Sequence, residues 1–163
     1  MKALLVIDMQ EVTVGKDHAK IFGYEPDIIS KVNDVIGQND FVVYIRNLIK
    51  NNFINKLAPV KCFDGTHEAE LAESLMIVSE NVFDKYAGDA FSNDKLGGFL
   101  KKNGVREVEL VGVDGGGCVS LTAIGAVNAG FKVVLNTAAI GTVFKSKQKN
   151  YFNSLRKMGA QFI

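Results

Sequence analysis

The sequence predicts an α/β protein: a doubly wound, open, mostly parallel sheet of about six strands, with helices on both faces in three layers. Three observations carry this expectation. Residues 3–7 (ALLVI), 41–45 (FVVYI), 108–113 (VELVGV) and 132–135 (KVVL) are almost continuously apolar, as strands buried on both faces of a parallel sheet are. The segments between them repeat apolar residues at helical spacing, so strand and helix alternate. No repeat, low-complexity tract or linker interrupts the pattern, and 163 residues at 47% hydrophobic content suit one domain, 1–163, around one core.

Taken in order, residues 3–7 make the first strand. Residues 26–37 make the first helix, because Pro26 suits a first turn and Ile28, Ile29, Val32, Val35 and Ile36 form one stripe. Residues 41–45 are the second strand, and residues 68–76 are expected to be helical. Val82 and Phe83 mark a short strand. Residues 93–102 form a helix with Asn93 as its N-cap and Gly104 just past its end. After the strand at 108–113, a small-residue helix starts at Cys118 and ends at Gly130. A strand at 132–135, a helix at 145–158 and a closing AQFI strand complete the chain. Right-handed crossovers between such strands give a Rossmann-like sheet, in which ligands bind beyond the carboxyl ends of the strands.

Charge narrows the partners. Nineteen basic and eighteen acidic side chains, without a long single-sign run, leave no footprint for nucleic acid or an anionic membrane. No apolar stretch approaches the roughly 20 residues that span a bilayer, and MKALLVIDMQ reaches an acid too early for a signal peptide. A cytoplasmic protein acting on a small molecule is the expectation. Cys62 and Cys118 stand far apart without CxxC spacing, so reduced thiols are expected rather than a disulfide or a zinc knuckle.

The strand-end rule selects reactive side chains. Asp8 follows ALLVI, Lys85 follows the short strand at Val82 and Phe83, and Cys118 follows VELVGV and a glycine turn. Singly, each has an ordinary reading: a turn cap, a solvated charge, a small buried hydrophobe. Together they supply a thiol, a proton acceptor and a positive charge. A helix N-terminus contributes roughly 0.3–1 kcal/mol to a thiolate, less than one pKa unit, so Cys118 needs partners. Gly115, Gly116 and Gly117 permit unusual backbone angles and let N–H groups point into a cavity, as an oxyanion hole requires. A dinucleotide fingerprint fails here, because Ser120 stands where a third glycine or alanine is required.

These residues resemble the isochorismatase-like cysteine hydrolases, a group that includes nicotinamidases, N-carbamoylsarcosine amidases and ureido-type amidohydrolases. The resemblance runs through LLVIDMQ, GTHEAEL, DKYAGDAF and VELVGVDGGGCVSLTAIGAVNAGFKVVLNTAAIG. It implies the isochorismatase-like hydrolase fold, with Asp8 as general base, Lys85 as the positive triad member and Cys118 as nucleophile. It also implies a non-proline cis peptide between Val113 and Asp114, and an oxyanion hole formed by the backbone N–H groups of Asp114 and Cys118. The expected reaction is hydrolysis of a small amide, ureide or carbamoyl-type C–N bond through a thioester.

Departures from the family pattern are informative. Members that hydrolyse nicotinamide carry an Asp-x-His metal element after the second strand, where this chain has Arg46, Asn47, Leu48 and Ile49. Its histidines are His18 and His67, so no metal and no cofactor are expected. Isochorismatases proper cleave a vinyl ether and often lack the cysteine; vinyl ether hydrolysis and a non-catalytic scaffold are the alternatives. Gln10 and Phe91 are candidate substrate contacts, Phe91 serving equally well as core. The long stretch 47–61, with Phe53, Ile54 and Leu57, reads as a pocket wall or an oligomer contact. By the resemblance, a homo-oligomer, dimer or tetramer, is expected.

Overall fold

A computed structural model describes residues 1–58 and 60–163. Strands β1 (Lys2–Ile7), β2 (Val42–Asn47), β3 (Val82–Lys85), β4 (Glu107–Val113), β5 (Lys132–Gly141) and β6 (Gln161–Phe162) form one sheet in the order β3-β2-β1-β4-β5-β6. Every neighbouring pair is parallel. The chain runs outward from β1 to β3, returns, and runs outward the other way from β4, so the switch point lies between β1 and β4. That crevice is where a doubly wound sheet binds its ligand.

The period-two alternation of strand side chains builds two cores. Ala3, Leu5 and Ile7 of β1 face one side, together with Leu96 and Leu100 of α4 (Asp94–Lys102), Val119, Ala123 and Ala126 of α5 (Cys118–Asn128), and Phe152 and Leu155 of α6 (Lys145–Lys157). Leu4 and Val6 face the other side, against Ile28, Val32 and Ile36 of α2 (Ile28–Ile36). The stripe read from the sequence is thus the buried face of α2. Asn93 caps α4 by accepting the Lys95 N–H at 3.0 Å, and Gly104 follows with a positive φ of 73°.

Two expectations need correcting, and two short helices join the expected elements. Residues 68–76 are not a helix. His67–Ala69 make a single 3-10 turn, Leu71 then forms an antiparallel bridge with Gln10, and the Ala72 N–H donates to the Met9 carbonyl at 2.9 Å. Ala72 and Leu75 are buried as their apolar character demands, but by a turn laid across the end of β1 rather than by a helical face. β5 runs on to Gly141, past Leu135, because a register shift opposite Leu110 and Gly112 lets it resume pairing at Ile140. Two short helices, α1 (Glu11–Val14) and α3 (Phe53–Lys56), carry too few residues to show periodicity.

Gly112 sits at φ 107°, and a Cβ there would stand 2.2 Å from the Ile7 carbonyl oxygen. Gly112→Ala is therefore expected to destabilise the fold by at least about 1–3 kcal/mol, the usual cost of one such backbone position, with the clash added to it. Urea unfolding checks this, and an unchanged midpoint would refute it.

Candidate active site

The strand ends at the switch point deliver the site. Asp8 follows β1 with φ 52°, a left-handed conformation that aspartate tolerates better than most residues. Its N–H donates to the Ile45 carbonyl at 3.0 Å, and its own carbonyl accepts the Thr13 hydroxyl at 2.5 Å. The chain is pinned on both sides of the turn, and the carboxyl lines the cavity beyond the sheet. Lys85 is the last residue of β3 rather than a residue beyond it, and it is 1% exposed. Cys118 is the first residue of α5, half-buried, with Gly117 at the cap.

The structure brings these three together. Lys85 Nζ donates to Asp8 Oδ2 at 3.0 Å, to Cys118 Sγ at 3.2 Å and to Asn47 Oδ1 at 3.1 Å. An ammonium has three protons, and here each has an acceptor. Asp8 Oδ1 is buried and has no hydrogen-bond partner among the described residues, which leaves one carboxylate oxygen unengaged.

The charges are strongly coupled. Burial raises the Asp8 pKa, against Lys85 and Cys118, which hold it down. Burial pulls Lys85 down, but Asp8 and Cys118 outweigh it and the net shift is upward, so the ammonium persists. Burial pushes the Cys118 thiol up to about 12; Asp8 adds to this, and Lys85 opposes it. The helix N-terminus does not make Cys118 a resting thiolate, because desolvation and the neighbouring carboxylate exceed its small field. The resting site holds the Lys85 ammonium between Asp8 and a thiol whose protonated form burial favours.

The loop before Cys118 follows from close packing. The Val113–Asp114 peptide is cis, as the family resemblance implied. Among the described residues, neither the Asp114 N–H nor the Cys118 N–H has an acceptor, whereas Gly115, Gly116, Gly117 and Val119 donate to Gly141, Asp114 Oδ1, and twice to the Asp114 carbonyl. Two free amides thus flank the cavity beside Sγ. None of the three glycines has a positive φ, but Gly117, at φ −147° and ψ −116°, takes the unusual backbone angles expected of this loop. Gly115 and Gly116 allow close contact: a Cβ would stand 2.3 Å from Thr142 Oγ1 at Gly115 and 2.2 Å from the Phe144 carbonyl at Gly116.

Asp8, Asp114, Gly117 and Cys118 line a cavity of about 140 Å³, walled by Phe22, Tyr24, Val113 and Phe144 on one part and by Asn47, Ile49, Val60 and Cys62 on another. The 47–61 stretch therefore contributes pocket wall at both ends, while Phe53 and Ile54 on α3 and Leu57 just past it are exposed. Gln10 lines the cavity but is fully buried. Its Oε1 accepts the Asn47 N–H at 2.7 Å, and its Nε2 donates to the Ala69 carbonyl at 2.9 Å and the Asn47 carbonyl at 3.2 Å. It positions the end of β2, whose Asn47 side chain accepts from Lys85, with its own amide engaged by protein. Phe91 is placed elsewhere, 5.6 Å from the Phe131 ring in the α4–α5 core. Burial raises the Cys62 thiol to about 11.

Sequence reasoning missed Asn47, Phe22, Tyr24 and Phe144. Asn47 was findable, since it ends β2 and the strand-end rule applies to it. Phe144 was hidden by the early end assigned to β5.

A family model described as the isochorismatase domain matches residues 2–163. Among solved structures, a pyrazinamidase from Pyrococcus horikoshii in complex with zinc is 28% identical, with 99% of this chain and 98% of that chain covered and a TM-score of 0.78. A nicotinamidase pyrazinamidase from Acinetobacter baumanii is 23% identical over 99% and 95%, TM-score 0.86. An N-carbamoylsarcosine amidase from Thermoplasma acidophilum is 22% identical over 99% and 94%, TM-score 0.81. No curated protein matches the chain. The zinc of the Pyrococcus structure has no fitting donor set here. Among the described residues no three His, Cys, Asp or Glu side chains are grouped to share an ion. Asn47 is bonded to Lys85, Leu48 is buried among apolar side chains, and His18 and His67 lie outside the cavity. Among the described residues no helix is long and apolar enough to cross a membrane.

Proposed function

The chain belongs to the isochorismatase family, and from that premise we propose that it is a cysteine hydrolase that cleaves a small amide, ureide or carbamoyl C–N bond through a thioester on Cys118. One observation carries this reading: a single buried ammonium, Lys85 Nζ, bonds both Asp8 and Cys118, while the second Asp8 oxygen is buried without a partner.

The geometry suits the following sequence. The carbonyl oxygen of the substrate accepts the free N–H groups of Asp114 and Cys118. Sγ attacks the carbonyl carbon as its proton passes to Asp8. Burial and the Asp8 charge favour the protonated thiol at rest, so the oxyanion stabilised by the two amides is what drives the proton transfer to Asp8. The C–N bond then breaks, the Asp8 proton leaves with the amine, and the acyl group stays on sulfur. Water, deprotonated by Asp8, attacks the thioester carbon; the C–S bond breaks, the thiol is restored and the acid departs. Lys85 holds its positive charge throughout.

The test is a hydrolysis screen over small amides, ureides and carbamoyl compounds. With a turned-over substrate, Cys118→Ala is expected to lose all detectable activity, and rapid acid quenching followed by mass spectrometry is expected to find the acyl mass on the Cys118 peptide. Parent-rate turnover by Cys118→Ala would falsify the proposal. The vinyl ether alternative gains no support from the cavity, because a dianionic substrate would meet Asp8 and Asp114 with no cationic side chain among the described lining residues.

A further inference from the structure

We infer that the cavity selects a cationic substrate, a short amide with an ammonium group at the end remote from the scissile bond, and that Asp114 is the residue that recognises it. This rests on the hydrolase reading above and specifies its substrate class.

Charge balance leads to it. Lys85 and Asp8 neutralise one another across 3.0 Å. Asp114 then adds a second carboxylate, 6% exposed and lining the same cavity. Its Oδ1 accepts the Gly116 N–H and its Oδ2 the Val143 N–H, each at 2.6 Å, so its orientation is fixed. Those donors are dipoles and carry no net charge. Among the described residues no Lys, Arg or His pairs with Asp114, and no cationic side chain lines the cavity. The site therefore holds two carboxyl groups, Asp8 and Asp114, against the single ammonium of Lys85. A buried carboxylate without a counter-cation is costly, and a ligand cation removes that cost.

The walls fit the same ligand. Phe22 and Tyr24 stack with rings 8° from parallel and centroids 6.1 Å apart, and Phe144 completes the aromatic lining. Aromatic faces attract cations through the ring quadrupole, and Phe144 already has Lys147 Nζ over its ring at 5.5 Å. Tyr24, its pKa raised by burial and by the Asp114 carboxylate, stays a neutral phenol and adds no competing charge. A carboxylate-bearing substrate would meet the opposite environment.

The experiment compares ω-amino amides with two, three and four methylenes against isosteres in which methyl replaces ammonium, and against the matching carboxylates. For the best chain length, kcat/KM is expected to be about tenfold higher for the ammonium compound than for its neutral isostere, mostly through KM, with the carboxylate slowest. Within each variant the ammonium-to-methyl ratio is read, so changes common to both substrates cancel. Asp114→Asn is expected to bring that ratio close to one. Phe144→Leu, at a 43% exposed ring, is expected to lower it about threefold and serves if Asp114→Asn does not fold. Neutral isosteres turned over as well at every length, or a ratio unchanged in the folded variants, would overturn the inference and leave the hydrolase reading intact. If no member is hydrolysed, calorimetric binding to Cys118→Ala decides: preference for the ammonium compounds upholds the inference without the hydrolase reading, and equal binding overturns it.

Discussion

Asp8→Asn is expected to reduce turnover by about 10²- to 10⁴-fold, the usual contribution of a positioned general base, while making Cys118 more reactive toward iodoacetamide. The two effects separate because Asp8 acts on Cys118 in opposite senses. As the proposed base it accepts the thiol proton; as an anion it adds to the burial that pushes the thiol up to about 12. That leaves the thiol protonated at neutral pH. Asparagine keeps the shape and removes the negative charge, so Lys85 Nζ, 3.2 Å from Sγ, faces the thiol unopposed. The thiol pKa then falls, and each unit raises the thiolate fraction about tenfold at a fixed pH below it. Alkylation followed across pH should show its inflection displaced to lower pH in the variant. A merely structural Asp8 would lower turnover and disturb labelling without this displacement. Slower alkylation in Asp8→Asn, or retained turnover, would remove Asp8 from the proposed chemistry.

The same residues explain why so much was legible before the structure. The buried strands announce themselves as apolar runs because a parallel sheet hides both faces, and Asp8 and Lys85 break those runs with charges at strand ends. The cysteine was visible through the glycine turn before it. What stayed hidden depends on contacts distant in sequence. The Leu71, Ala72 and Leu75 pattern suits a helix locally, but Leu71 bridges to Gln10 and Ala72 bonds to Met9, so the chain crosses the end of β1 as a turn. Asn47 looked like a missing metal ligand and is instead an acceptor for Lys85, placed by backbone bonds to Gln10. The rise of the Cys118 pKa is not legible in sequence, because the helix terminus is local whereas desolvation and the Asp8 field arise only in the fold. Asp114 was noticed for its backbone N–H, and its side chain acquires meaning only against a cavity without cations.

Lys85→Met is expected to destabilise the protein by about 3–5 kcal/mol, and adding Asp8→Asn is expected to restore much of that loss. Methionine approximates the lysine stem but carries no charge. With Lys85 1% exposed, no water replaces the ammonium, and Asp8, Cys118 and Asn47 lose a common donor together. The largest part of the cost is the Asp8 carboxylate, left buried with both oxygens unpartnered and its charge uncompensated. Asparagine at position 8 removes that charge, so the double variant should be more stable than Lys85→Met alone, although it gains no substitute for the lost bonds. Urea unfolding of the parent, both single variants and the double variant at one temperature gives the coupling directly. Strict additivity would mean that the pair does not interact in the folded state. Against a typical domain stability of about 5–15 kcal/mol, the single variant loses a large fraction. A buried ion pair that a neutral pair can replace at little cost is weak grounds for stability, so stability alone does not account for these two charges. Their placement, with one ammonium shared by a carboxylate and a thiol at the switch point of the sheet, is what the proposed thioester chemistry requires.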